Sequence, residues 1–272
     1  MDIDATALAW DFFQANAPPT SELTAAGDSE IWTFGEAETA SGLRYHTASR
    51  GSGDGTLLLH LHGATQGWES LSSDVEALTA IIDRSQTTDR TLIAAPHDSS
   101  GWSMWTDSAD GTNNIASLIT KELIPDIEAR FGAGGTADRR VLSGFSMGGF
   151  GAASLGLTDP SQWRAIAVWD GAMHTWDTLS KNRRPIAEGH FGGDLEFFDE
   201  WSPWSLAESQ ATGGNLPPFF VAHGSLPAFI EDYAAHLRGL GITVSEFDTN
   251  CGHALGCLTR EAGDEFISIV FD

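Results

Sequence analysis

Apolar residues along this chain fall into short unbroken runs and longer helical stripes that follow one another in turn. Residues 56–62 (Thr-Leu-Leu-Leu-His-Leu-His) and 91–95 are almost wholly apolar, the pattern of strands covered on both faces. Further strands are predicted at 43–48, 140–144, 165–169, 219–223 and 242–247, with a first candidate at 31–34. Apolar positions at helical spacing predict helices over 75–82, 115–131 and about 260–270. The small residues Gly148, Gly149, Gly151, Ala152 and Ala153 predict a tightly packed helix after the strand at 140–144. This alternation implies one α/β domain with a mostly parallel central sheet and helices on both faces.

Two stretches break the rhythm. Residues 5–14 read as a short amphipathic helix closed by Ala17-Pro18-Pro19, so 1–30 is expected to be an appendage to a domain over 31–272. Residues 171–218 carry Trp176, Trp201 and Trp204, several glycines and the turn Pro217-Pro218. Lying between two sheet strands, they are expected to form a cap over the strand ends, where sheets of this class bind ligands.

Composition narrows the partners. The 272 residues include 38 acidic and 14 basic ones, a net charge of −24, with Lys121 and Lys181 the only lysines. Such a surface repels phosphate backbones and anionic lipid heads, which excludes nucleic acid and acidic membranes as partners and leaves a small molecule. Acid-rich, lysine-poor composition is also that of proteins from salt-loving organisms, and predicts unfolding midpoints that rise with molar salt. Met1-Asp2-Ile3-Asp4 places acids where a secretory signal needs positive charge, and no apolar run reaches about 18 residues, so a soluble, cytoplasmic chain is the default expectation. Oligomeric state is not legible.

The chemistry is carried by Gly144-Phe145-Ser146-Met147-Gly148. G-x-S-x-G between a strand and a helix is the nucleophile elbow of the α/β-hydrolase fold, a sharp turn that lifts the serine oxygen clear of the backbone. Acyl transfer then needs donors for the oxyanion: the N–H of Met147, next after the serine, and one from the loop after an earlier strand. His60-Leu61-His62-Gly63-Ala64 ends such a strand, and Gly63 lets the Ala64 N–H turn toward Ser146. His60 and His62 also share a strand face that suits a metal, but a third ligand is not evident nearby. For the general base, chain order in this fold puts the histidine between the last strand and the last helix. Of nine histidines only His253 is there, in Cys251-Gly252-His253, where a disulfide to Cys257 or a zinc site are the two readings of the cysteine pair.

These residues, with Leu61-His62-Gly63, Trp102-Ser103-Met104-Trp105-Thr106-Asp107, Glu122-Leu123-Ile124-Pro125-Asp126-Ile127-Glu128, Gly149, Phe191-Gly192-Gly193-Asp194, Ser202-Pro203-Trp204 and Gly252-His253, resemble the putative-esterase family. That family includes S-formylglutathione hydrolases, feruloyl and acetyl-xylan esterases and mycolyltransferases. The resemblance covers about residues 40–270 and implies a Ser-His-acid esterase that needs no cofactor. One element departs from it. The family's acid follows the next-to-last strand in a Gly-x-x-Asp turn, and this chain reads His223-Gly224-Ser225-Leu226-Pro227 there. Three acids remain: Glu231 and Asp232, a little further on in an expected helix, and Asp170, at the end of the strand at 165–169. Asp170 is favoured, because a strand-end residue is rigidly aimed at the site; a plain turn role in Asp170-Gly171 is its competitor.

The reading is therefore a serine carboxylesterase with Ser146, His253 and Asp170 as catalytic residues and Ala64 and Met147 as the oxyanion hole. An acyltransferase built on the same residues, or an inactive binding module on a hydrolase scaffold, are the alternatives. Trp102, Trp105, Trp169, Trp176, Trp201 and Trp204 are expected mostly to fill the core, with sugar or aromatic stacking as the competing role.

Overall fold

A computed structural model of the chain describes residues 31–51, 54–84 and 90–271. The helix expected at 5–14 and the appendage at 1–30 lie outside them.

Eight strands form one sheet: β1 (Thr33–Glu38), β2 (Arg44–Arg50), β3 (Thr56–Leu61), β4 (Thr91–Pro96), β5 (Arg140–Phe145), β6 (Ala165–Trp169), β7 (Phe219–His223) and β8 (Val244–Asp248). Their order is β1-β2-β4-β3-β5-β6-β7-β8, with β1 and β2 antiparallel at one edge and the rest parallel. The apolar runs become central strands: every residue of β3, β4, β6 and β7 is buried. The edge strand β1 starts two residues later than expected and is mostly exposed. It holds its place through pairing with β2 rather than through burial.

Nine helices cover the faces among the described residues: α1 (Trp68–Arg84), α2, α3 (Met147–Thr158), α4 (Trp176–Asn182), α5 (Arg184–Gly189), α6 (Leu195–Trp201), α7 (Pro203–Ala211), α8 (Pro227–Gly239) and α9 (Leu255–Val270). In α2, Ile115–Leu118 and Ile124–Phe131 flank a π-helical turn over Ile119–Leu123. Pro125 lies just beyond that turn, and its missing N–H removes one ordinary helical bond there. α1 and α9 begin seven and five residues before the predicted starts; the extra turns add Leu71, Leu255 and Leu258 to the buried stripe, spaced among polar and small residues. On one face of the sheet α1 and α9 bury Leu71, Val75, Leu78, Leu258 and Phe266 against Leu58, Ile93 and Phe220. On the other, α2, α3 and α8 bury Ile119, Ile127, Phe150 and Tyr233 against Leu57, Leu59 and Val221.

The segment between β6 and β7 folds as α4 to α7. Its early part borders a cleft at the strand ends, whereas α6 and α7 pack against α3 on the sheet's flank. Among the described residues, no helix is long and apolar enough to cross a membrane.

Strand register then brings distant residues together. Leu61 pairs with Gly144, Phe145 with Trp169, Trp169 with Ala222, and His223 with Asp248. The next residues of each strand, His62, Ser146, Asp170 and Gly224, therefore leave the sheet along one carboxyl edge. β3 and β5 are neighbours whose helices α1 and α3 go to opposite faces, which makes the crevice between them the place where such sheets bind ligands.

Candidate active site

Ser146 sits between β5 and α3 with φ 55° and ψ −116°, a conformation that non-glycine residues rarely adopt. The surrounding backbone enforces it. A Cβ on Gly144 would lie 1.9 Å from the Gly148 carbonyl oxygen, and one on Gly148 would lie 1.8 Å from that of Leu61. The two glycines of the motif thus let α3 press directly on β5 and β3, which leaves the serine at the tip of the bend. The Ser146 N–H donates to Trp169 O (3.0 Å) and its carbonyl accepts from Gly149 and Ala172 (3.0 and 2.9 Å).

His253 stands in the loop between β8 and α9, and Cys251 and Cys257 are joined there as a disulfide. That bond uses the thiolates a zinc site would need. The Ser146 hydroxyl lies 2.8 Å from His253 Nε2, and His253 Nδ1 lies 2.5 Å from Asp170 Oδ2. An ionised carboxylate only accepts, so Nδ1 carries the hydrogen and Nε2 is left to accept from the serine. The Phe145 ring packs against the imidazole, centroids 4.6 Å apart. Sequence reasoning passed over Phe145, the variable position of G-x-S-x-G, and its aromatic identity is the only signal it offered.

Asp170 is fully buried at the end of β6, with φ 43°. Its Oδ1 accepts from the N–H groups of Gly224 (3.1 Å) and Leu226 (3.2 Å), and its Oδ2 from the Ser225 hydroxyl (3.1 Å) as well as from His253. Burial acts to raise its pKa, but the hydrogen bonds from His253, Gly224 and Leu226 and the charge of His253 hold it below the ordinary carboxylate value. The turn that lacks the family's aspartate thus supplies the donors that hold this one. Glu231 and Asp232 fall on α8 and are exposed, with no hydrogen bond to His253.

After β3, His62 anchors the other wall. Its Nδ1 donates to Gly63 O (2.6 Å), its Nε2 accepts from the Asp98 N–H (2.9 Å), and Trp105 Nε1 donates to His62 O (3.0 Å). Burial pushes its pKa down, in keeping with a neutral ring. The Gly63 Cα sits against the Ser146 side chain, where an added Cβ would be 3.3 Å from Ser146 Cβ. Neither the Ala64 N–H nor that of Met147 has an acceptor among the described residues, and both residues line the cleft with Ser146. His60 points elsewhere, to Ser143 Oγ (3.0 Å) and toward Asp74 (3.7 Å), so the two histidines do not converge on one metal.

The cleft encloses about 630 Å³. Trp102, Met104, Phe145, Ile186 and Phe229 give it an apolar lining, and His174, Asn182 and Arg183 border it from the segment after β6. Trp105 and Trp169 are fully buried, and Trp176, Trp201 and Trp204 pack partly buried on the core; Trp102 is exposed at the cleft.

The putative-esterase family profile matches residues 51–233. No curated protein matches by sequence. Among solved structures, an S-formylglutathione hydrolase from Agrobacterium tumefaciens is similar at 14% identity and TM-score 0.70, over 90% of this chain and 96% of that one. FphF, a fluorophosphonate-binding serine hydrolase of Staphylococcus aureus, is similar at 13% identity and TM-score 0.72, over 89% and 99%. MPT51 (FbpC1) of Mycobacterium tuberculosis follows at 18% and 0.64, over 90% and 98%. At such identities these structures speak for the α/β-hydrolase fold, and the family match, over more than half of the chain, carries the rest. This chain belongs to the putative-esterase family of carboxylic ester hydrolases.

Proposed function

We propose that the chain is a serine carboxylesterase that works through an acyl-enzyme, with Ser146 as nucleophile, His253 as general base and acid, and Asp170 as the acid of the triad. His253 Nε2 takes the Ser146 proton as Oγ attacks the ester carbonyl carbon. The oxyanion that forms is held by the N–H groups of Ala64 and Met147, which no group among the described residues engages. Collapse of the tetrahedral intermediate expels the alcohol, which takes its proton from His253. Water, deprotonated by the same nitrogen, then attacks the acyl-enzyme and releases the acid. Asp170 keeps the imidazole in the Nδ1–H form and stabilises the cation formed in each half-reaction.

The observation that carries this reading is the continuous line Ser146 Oγ, His253 Nε2, His253 Nδ1, Asp170 Oδ2, at 2.8 and 2.5 Å. It also speaks against the inactive-module alternative, whose motive was an acid missing after β7. A fluorophosphonate probe tests the proposal. Labelling of the wild type and hydrolysis of 4-nitrophenyl esters, both abolished in Ser146→Ala, are expected; a folded protein that neither labels nor hydrolyses such esters would sink it.

A further inference from the structure

The chain carries 38 acidic side chains, yet among the described residues none lines the cleft around Ser146. Among the described residues, the one permanently charged residue there is Arg183, between α4 and α5. Its neighbours are committed elsewhere: Lys181 pairs with Asp177 and Arg184 with Glu188. Arg183 has no carboxylate within 4.0 Å among the described residues, and its guanidinium spends one N–H on the Asn182 carbonyl oxygen (3.1 Å). In a protein of net charge −24, a cation that faces a substrate cleft without an acid beside it is the feature that general surface electrostatics does not explain.

Resting on the serine-esterase reading, we infer that Arg183 selects an ester that bears a carboxylate away from the scissile bond. The planar guanidinium offers paired donors that match a carboxylate in two-point contact. The apolar lining from Phe145, Ile186, Phe229 and Met104 takes the hydrocarbon between that carboxylate and the ester. His174, beside Arg183, supports the assignment: burial first and the arginine charge second push its pKa down to about 4, so it stays neutral near pH 7 and leaves the positive field of this corner to Arg183. The carboxylate could sit on the acyl or the alcohol part, since both leave through the same cleft.

Equilibrium binding in a Ser146→Ala background tests this without turnover. One arm compares 4-nitrophenyl hemiglutarate with 4-nitrophenyl pentanoate, so that the anion is on the acyl side; the other compares 4-carboxyphenyl pentanoate with phenyl pentanoate. In one arm the anionic ester is expected to bind more tightly than its neutral partner. Adding Arg183→Gln should reduce that ratio roughly tenfold or more, and Arg183→Glu should invert it. Ratios that move less than twofold in both arms overturn the inference. Wild-type turnover is read separately: absent turnover with an Arg183-dependent ratio refutes the esterase mechanism alone, and turnover with an unmoved ratio refutes this inference alone.

Discussion

Ser146 and Asp170 end neighbouring strands, both with positive φ and both one bond from the same imidazole, yet they are held in place by opposite means. The serine turn is fixed by backbone pressed on backbone, with Gly144 and Gly148 removing the side chains that would collide. The aspartate turn is fixed through its side chain, whose oxygens gather donors from His253 and from three successive residues of the β7 turn. Steric devices of the first kind leave a local signature, because the glycines they require lie two residues either side of the serine, even where the backbone they make room for is as distant as Leu61. Hydrogen-bonded devices of the second kind reach 54 to 83 residues along the chain and leave none.

The comparison breaks most sharply at Gly148. An added methyl meets the Leu61 carbonyl at a distance that neither backbone can absorb, so Gly148→Ala is expected to lose roughly 4 kcal/mol or more of stability, or to fail to accumulate as folded protein. Urea unfolding of the purified variant checks this; near-wild-type stability would mean that the elbow is not sterically set. At Asp170 the expectation reverses, with activity lost and fold kept. Asp170→Asn can no longer hold the Nδ1–H tautomer and should lower kcat by about 10⁴-fold with unchanged far-UV circular dichroism. Glu231→Gln and Asp232→Asn, both exposed on α8, should change kcat by less than about twofold. A large loss in either of those, with Asp170→Asn still active, would move the acid onto α8.

The same distinction governs what the sequence discloses. The central strands β3, β4, β6 and β7 were legible because burial on both faces demands nearly unbroken apolar runs, and β5, Ser146 and His253 because strand, elbow and loop follow a fixed chain order. The starts of α1 and α9 were not legible, since their first turns mix the buried Leu71, Leu255 and Leu258 with polar and small residues that blur the apolar stripe. Nor was the π turn in α2, which alters hydrogen bonds without altering the apolar stripe. Asp170 was favoured from sequence as a strand-end residue, but what holds it was not legible: its partners Gly224, Ser225 and Leu226 are ordinary turn residues until the register of β6 on β7 sets them around a carboxylate. Phe145 was hidden for a like reason, because contact with His253 joins a strand end and a loop 108 residues apart.

A smaller effect sharpens the account of the β7 turn. Ser225→Ala removes one donor to a buried anion that keeps three others, so it should cost about 1–2 kcal/mol of stability and reduce kcat by less than about tenfold. If it matched Asp170→Asn in damage, the hydroxyl rather than the main-chain donors would be what fixes the acid.

The smallest effect is one of pH, and only the hydrogen-bonded turn should show it. Asp170 has a folded pKa below its ordinary value of 3.8, so its ionisation stabilises the folded chain fully above that value. The contribution fades as pH falls through the lowered folded value, because there the proton binds both states alike. The stability difference between wild type and Asp170→Asn should therefore be constant from about pH 5 upward and shrink toward about pH 3. His62 and His174, whose pKa values burial pushes down, also lose stability on acidification, beginning near their ordinary 6.5. They are present in both proteins and cancel in the difference. Ser146→Ala provides the flat reference, since it removes no titratable group and leaves the glycine contacts of the elbow in place. A difference for Asp170→Asn that stayed constant down to about pH 3 would mean that the β7 turn holds the aspartate equally well when protonated, and the contrast between the two turns would then lie in sterics on both sides.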